Sequence, residues 1–425
     1  MTDSNALLAR HLIPELKSAL SSARIVNLIG PRQAGKTTLV RDLFHDGKFI
    51  TLDDAPTLAA IDTDPIGQLQ SLTKDLHDTP LIIDEAQRSR DLSLAIKQIV
   101  DKNRRKGQFI LTGSSNVFTT LQVADSLAGR MRTLKLWPLT AAECHESPLP
   151  RIIDWSLQNK PDIAQLTSPK ATREDYIDLL VRGGFPETRE IILRERQRQY
   201  RDYVDSVVDR DVADILRIRK TDVLRRLIDQ MASRTAQELN ISELCKILKV
   251  RRETVEQYLD VLLRLSMITK LGAWTSGESK REIKNAKYHF VDSGIVCALR
   301  RFGNRAFDLE TNPAALGSVL ESYVFNEILR SAPLQDTDTR LYHWRSTDKR
   351  EIDIIIDAGA KLTAIEVKAS ATLSLDDFKH LKWFSKEGSG RTRSVTGIVF
   401  YLGNERLTFG DNNFALPVST LWGAV

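Results

Sequence analysis

The sequence predicts an α/β protein: a parallel-sheet core at the amino-terminal end, a helical middle, and a second α/β region at the carboxy-terminal end. Three observations carry that prediction. Short apolar runs alternate with amphipathic segments between residues 24 and 137, the pattern of strands joined by crossover helices. A glycine-rich loop joins the first of those runs to a helical segment. Strand-like alternation returns between residues 312 and 402, around one clear helix.

Length and composition agree with this division. At roughly 150 residues per domain, 425 residues suggest about three domains, with expected bounds 1–165, 166–310 and 311–425. Hydrophobic residues make up 42% and charged residues 28%, a balance that supports a core and excludes a disordered chain. Apolar stretches such as Leu81–Ile83 and Ile354–Ile356 fall far short of the ~20 residues a membrane helix needs. No membrane span is expected. Residues 1–12 carry Asp3 early and lack the apolar run of a secretion signal. Cys144, Cys245 and Cys297 have neither metal-ligand spacing nor even pairing, which argues for a reducing compartment and against disulfides or zinc. The expectation is a cytoplasmic protein. The net charge of +5 sits in the middle third, where residues 151–310 hold 30 basic and 25 acidic side chains. So small an excess predicts only weak attraction to a polyanion.

The expected core strands are Ile25–Ile29, Phe49–Leu52, Leu81–Asp84, Phe109–Leu111 and Thr133–Trp137, with helices such as Lys36–Phe44 and Leu92–Asn103 between them. The first strand runs into Gly30, Pro31, Arg32, Gln33, Ala34, Gly35, Lys36, Thr37 and Thr38, a match to G-x-x-x-x-G-K-[ST] in the strand–loop–helix context that the motif requires. Glycines let the backbone wrap phosphate oxygens. Lys36 reaches the β- and γ-phosphates, Thr37 offers its hydroxyl to Mg²⁺, and the helix N-terminus adds its dipole. ATP and Mg²⁺ are therefore the expected cofactors. The strand Leu81–Asp84 ends in Asp84 and Glu85. Asp84 suits the outer shell of the same Mg²⁺, and Glu85 suits a base that polarises water. Because Glu85 has no purely binding role, hydrolysis is expected. At the tip of Phe109–Leu111, Ser114 is the first choice for a hydroxyl that senses the γ-phosphate and Thr112 the second, with an ordinary Ser/Gly turn as the plain alternative.

Farther along, Ile241–Leu248 reads as a short amphipathic helix, residues 250–254 as a basic turn, and a second helix runs to about Met267 before the strand Ile268–Leu271. Helix–turn–helix–strand is the outline of a winged helix, open to either DNA contact or a packing role. The mixed-charge run from Arg189 to Arg226 reads as a long helix with solvated faces. In the last region, Glu351–Asp357 and Leu362–Lys368 alternate as strands, which places Glu366 and Lys368 on one face.

These motifs carry two resemblances. Arg130 and Arg132, after Leu127-Ala128-Gly129, stand where the AAA+ ATPases carry an arginine that reaches a neighbouring subunit's nucleotide. That resemblance implies Arg130 acting in trans and a homo-oligomer, ring or dimer. Asp353 followed by Glu366-x-Lys368 resembles the PD-(D/E)XK motif of restriction-endonuclease-like folds, with Glu321 on the helix Leu316–Leu329 matching that family's acidic helix residue. It implies a second Mg²⁺ or Mn²⁺ on Glu321, Asp353 and Glu366, with Lys368 toward the attacking water. As a whole the chain resembles a prokaryotic AAA+-type P-loop ATPase family with a carboxy-terminal winged-helix and restriction-endonuclease-like region of unknown function. The landmarks are GPRQAGKTT, LIIDEAQ, LTGSS, LAGR, WPL, RGGFPE, YHFVDSGI, LESYVFNEI and the EID…EVK pair. The fold class implied is an AAA+-type parallel-sheet core, a helical and winged-helix middle and a nuclease-like α/β domain, with residues 183–186 at a junction with a helical lid. The functional expectation is a Mg²⁺-dependent ATPase that engages or remodels DNA, branched forms included, with a metal-dependent nuclease-like domain. The alternative is a nucleotide switch whose carboxy-terminal region binds a protein.

Overall fold

The structure, a computed structural model, describes residues 8–113, 127–212, 221–275, 285–303, 305, 312–388, 390–410 and 412–423. The chain divides into two compact units, one of Leu12–Pro138 with Arg264–Met267 and one of Met1–His11, Leu139–Leu263 and Ile268–Val425.

In the first unit, α1 (Ile13–Ser22) precedes β1 (Ile25–Ile29), α2 (Lys36–Leu43) and β2 (Lys48–Thr51). Then come α3 (Ala55–Thr63), α4 (Pro65–Thr73), β3 (Leu81–Asp84), α5 (Leu92–Lys102), β4 (Phe109–Gly113) and β5 (Met131–Lys135). The five strands are parallel in the order β2-β3-β4-β1-β5. Strands β1, β3 and β4 are buried along their whole length, which is why each reads as an unbroken apolar run. Ile25, Leu81, Ile83, Phe109 and Leu111 pack with Leu92, Ile96 and Ile99 of α5 in one core. Asp54 and Asp64 cap α3 and α4 by accepting from the Thr57 and Gly67 amides at 3.0 Å each. The last strand begins two residues before the expected Thr133. As an edge strand β5 keeps Arg132 and Thr133 exposed, so its first half lacks an apolar signature.

In the second unit, the helices Asp222–Ser233, Ile241–Leu248 and Arg252–Arg264 precede a hairpin of β6 (Ile268–Ala273) and β7 (Lys287–Phe290). Lys249 makes the left-handed turn between the second and third helices. The chain then passes through the helix Pro313–Ser331 to β8 (Arg340–Arg345), β9 (Glu351–Asp357) and β10 (Lys361–Lys368). After the helix Lys379–Lys386 come β11 (Ser394–Tyr401), β12 (Leu407–Thr408) and β13 (Asn413–Pro417). The sheet order is β12-β13-β11-β10-β9-β8-β6-β7. Because β6 pairs in parallel with β8 at Gly272–Tyr342, the β6–β7 hairpin and the carboxy-terminal strands share one sheet. Its core includes Trp274, Trp344, Ile352, Leu362, Phe378, Phe384 and Val399. The fold class is α/β, a parallel five-stranded unit followed by a mixed-sheet unit. Among the described residues, no helix is long and apolar enough to cross a membrane.

Candidate functional site

The glycine-rich loop leaves the buried end of β1 and enters α2 at Gly35, whose φ of 92° is left-handed. A side chain at Gly30 would collide with the Leu136 carbonyl oxygen, so glycine is required there for packing as well as for turning. Lys36 is buried, and its Nζ donates to the Gly30 and Pro31 carbonyl oxygens at 3.0 and 2.8 Å. The ammonium thus lies inside its own loop. Burial pulls its pKa down to about 8, against the pull of Glu85 and Asp84.

Asp84 organises the other half of the site. Thr37 Oγ1 donates to Asp84 Oδ2 at 3.0 Å, and Thr112 Oγ1 donates to Asp84 Oδ1. One carboxylate therefore joins the first turn of α2 to the tips of β3 and β4. Glu85 follows with a left-handed φ of 52°, uncommon for a non-glycine residue. Its Oε2 accepts from Gln87 Nε2. Burial raises its carboxyl pKa, and neighbouring Asp84 raises it further, while the Gln87 bond acts the other way.

These residues fit ATP and Mg²⁺: a buried cation inside a loop opening a helix, and a hydroxyl and a carboxylate already paired where the ion would sit. Lys36, Thr37, Asp84 and Glu85 are brought together. Ser114 lies outside the described residues, and the hydroxyl seen on Asp84 is that of Thr112. Gln87 was missed by sequence reasoning, although its place two residues after Glu85 on a turn was a usable signal. Arg130 is held within its own chain: its Nε and Nη2 reach Asp101 Oδ1 and Oδ2 at 2.5 and 2.9 Å. Arg132 pairs with Glu15.

The carboxy-terminal residues tell a different story. Asp353 and Glu366 do lie on neighbouring strands, with Asp353 Oδ2 accepting from the Val367 amide at 2.9 Å. Lys287, at the start of β7, reaches two of the three carboxylates on which an ion was expected, Glu321 and Asp353 but not Glu366. Its Nζ lies 2.7 Å from Glu321 Oε1, 2.6 Å from Glu351 Oε1 and 3.6 Å from Asp353 Oδ1. Lys287 is 1% exposed. Burial opposes its charge, but Glu321, Asp353 and Glu351 outweigh that and hold its pKa above the ordinary lysine range. Glu366 lies 2.6 Å from Lys368 and 3.5 Å from His380. Burial lifts its carboxyl to about 7, although Lys368 works against the rise. The set does not fit a resident divalent ion, and among the described residues no group of three or more His, Cys, Asp or Glu side chains is arranged to hold one.

Four of the sequence landmarks meet in a buried knot. The Gly184 amide donates to Asp292 Oδ2 at 2.7 Å. Arg330 donates to the Leu139 and Val291 carbonyls at 2.8 and 2.7 Å, and Glu327 accepts from the Ala141 amide at 2.9 Å. These contacts are structural: they satisfy buried backbone groups.

A family model described as an AAA domain matches residues 22–145. Two models, each described as a domain of unknown function, match residues 173–306 and 316–421. An uncharacterized protein of Mycobacterium tuberculosis is 28% identical over 369 residues, 86% of this chain and 75% of that one. Another, from Methanocaldococcus jannaschii, is 22% identical over 329 residues, 74% of this chain and 69% of its own length. A solved structure, the Walker-type ATPase of Pyrococcus abyssi, is 14% identical with a TM-score of 0.44, covering 70% of this chain and 97% of that one. The phosphate-binding loop and the carboxylates of Asp84 and Glu85 lie within the residues that the AAA-domain model matches.

Proposed function

We propose that this chain is a magnesium-dependent ATP hydrolase whose turnover is coupled to engagement of DNA. The observation that carries hydrolysis is Glu85 set beside an Asp84 that already holds Thr37 and Thr112. Bound Mg²⁺ would supply positive charge to the β- and γ-phosphates. The chain's own residues do the rest. With nucleotide and ion bound, Lys36 Nζ would exchange its loop carbonyls for phosphate oxygens, Thr37 and Asp84 would hold the ion, and Glu85 would take a proton from water through the oxygen that Gln87 leaves free. Raising the Glu85 pKa makes it a better base near neutral pH. Lys36→Ala should abolish nucleotide binding, since the loop then has no ammonium for the phosphates. Retained ATP affinity in that variant would overturn the reading.

Arg130 serves a neighbouring subunit's nucleotide in this reading, within a ring or dimer. Its pair with Asp101 is exposed, and exposed pairs are weak enough to be exchanged on assembly. The three expected segments, 1–165, 166–310 and 311–425, then act as motor, reader and carboxy-terminal platform of a cytoplasmic protein. Lys249, Arg251 and Arg252 are exposed around the turn that opens the third winged-helix helix, the place where such folds meet DNA. Binding to duplex, single-stranded and branched DNA at several salt concentrations tests this, because phosphate contacts weaken as salt rises.

A second reading is a nucleotide switch that binds a protein. It is favoured by Glu253, Glu256 and Asp260, exposed on that same helix, and by Arg252 being spent on Glu256 at 2.8 Å. Absence of binding to every DNA form, with and without ATP, would decide for it. Metal-dependent cleavage at Asp353, Glu366 and Lys368 is no part of either reading.

A further inference from the structure

We infer that the carboxy-terminal carboxylate cluster carries its own cation: the Lys287 ammonium, seated among Glu321, Glu351 and Asp353, stands where a divalent ion would sit and closes the site to one. Four elements converge to make it. The backbone of Lys287 is pinned on one side by β6, where it faces Leu271, and on the other by a bridge to Glu238. From that fixed point the side chain reaches Glu321 on the helix Pro313–Ser331 and both Glu351 and Asp353 on β9.

The distances to the two glutamates are those of charge-assisted N–H···O bonds. An ion bound to these oxygens would need contacts of about 2.0–2.6 Å, so it would have to occupy the volume now filled by Nζ. Ion and ammonium exclude each other by size and by charge. Of the remaining expected ligand, Glu366, one oxygen is paired with Lys368 at 2.6 Å. The second oxygen of Asp353 is taken by the Val367 amide. Lys287 therefore works as a rivet: it ties the winged-helix hairpin to the strand and helix that carry the nuclease-like motif, and needs no metal to do so. It follows that deleting the ammonium uncovers a divalent-cation site that the natural chain keeps shut.

The test counts Mn²⁺ bound to the full, nucleotide-free chain by the electron paramagnetic resonance of free Mn²⁺. Wild type and Asp353→Asn should bind the same number of ions. Lys287→Ala should bind one more than wild type, and the double variant Lys287→Ala/Asp353→Asn should lose that extra ion. A Mn²⁺ lost from wild type on Asp353→Asn would overturn the proposal. So would a Lys287→Ala protein with wild-type circular dichroism and no added ion. If Lys287→Ala fails to fold, the comparison of wild type with Asp353→Asn decides alone, equal ion counts supporting the closed site. None of these outcomes touches the ATPase reading, which rests on residues of the other unit.

Discussion

Glu85→Gln separates binding from hydrolysis at this site. The substitution keeps the size of the side chain and an oxygen able to accept from Gln87 Nε2, but removes the group that takes a proton. Nothing that shapes the phosphate loop depends on it: Lys36 is held by the Gly30 and Pro31 carbonyls, and Asp84 by Thr37 and Thr112. A positioned general base contributes about 10²–10⁴-fold to rate. At about 1.4 kcal/mol per factor of ten, that is a barrier roughly 3–5 kcal/mol higher. Phosphate release should therefore fall by two to four orders of magnitude, while the affinity for a fluorescent ATP analogue stays within a few-fold of wild type. Steady-state phosphate release and equilibrium titration, run on the same preparation, read both quantities. Turnover at the wild-type rate would refute the role given to Glu85. Loss of ATP binding as complete as in Lys36→Ala would refute the separation of roles, and would place Glu85 in the loop's own architecture.

The remaining predictions follow the same site outward. Because burial and Asp84 raise the Glu85 pKa and the base works deprotonated, activity should be present above that pKa. It should be lost as pH falls through it, with an acid limb above the ordinary glutamate range. Gln87→Ala removes a bond that holds the pKa down, so the limb should move to higher pH; a limb that stays put would show that Gln87 does not govern the base. Arg130→Ala should bind nucleotide yet hydrolyse it poorly, wild-type rate per chain should rise with protein concentration, and mixing Arg130→Ala with Glu85→Gln should restore part of the activity. Full activity of dilute monomer would remove the trans role. Arg330→Ala leaves Glu327, Asp292 and two carbonyls of the buried knot without their cation, and should cost about 3–5 kcal/mol in chemical denaturation of the second unit. A loss near zero would mean the knot is solvated.

The sequence by itself determined what is local. Strand, phosphate loop and helix lie within twenty residues, and the required glycines and lysine are fixed by backbone geometry that any such loop shares. The bounds of β3 and the start of β4 were legible because fully buried parallel strands read as apolar runs, while β4 runs on through Thr112 to Gly113, where that apolar signal stops. Edge strand β5 was placed late because half-exposed residues carry no such signal. The E-x-K pair on β10 was equally readable, being set by the two-residue period of a strand. Which cation meets those carboxylates was not. Lys287 lies in a different segment from Asp353 and reaches it only because β6 joins β8 in the sheet, a pairing that no local pattern encodes. The same holds for Thr112 on Asp84 and for Arg130 on Asp101, which depend on strand order and on the packing of α5. Residue type and spacing state what a side chain is able to do, while the partner that neutralises it is chosen by long-range pairing. Tertiary structure alone therefore decided that the carboxy-terminal carboxylates face a buried lysine.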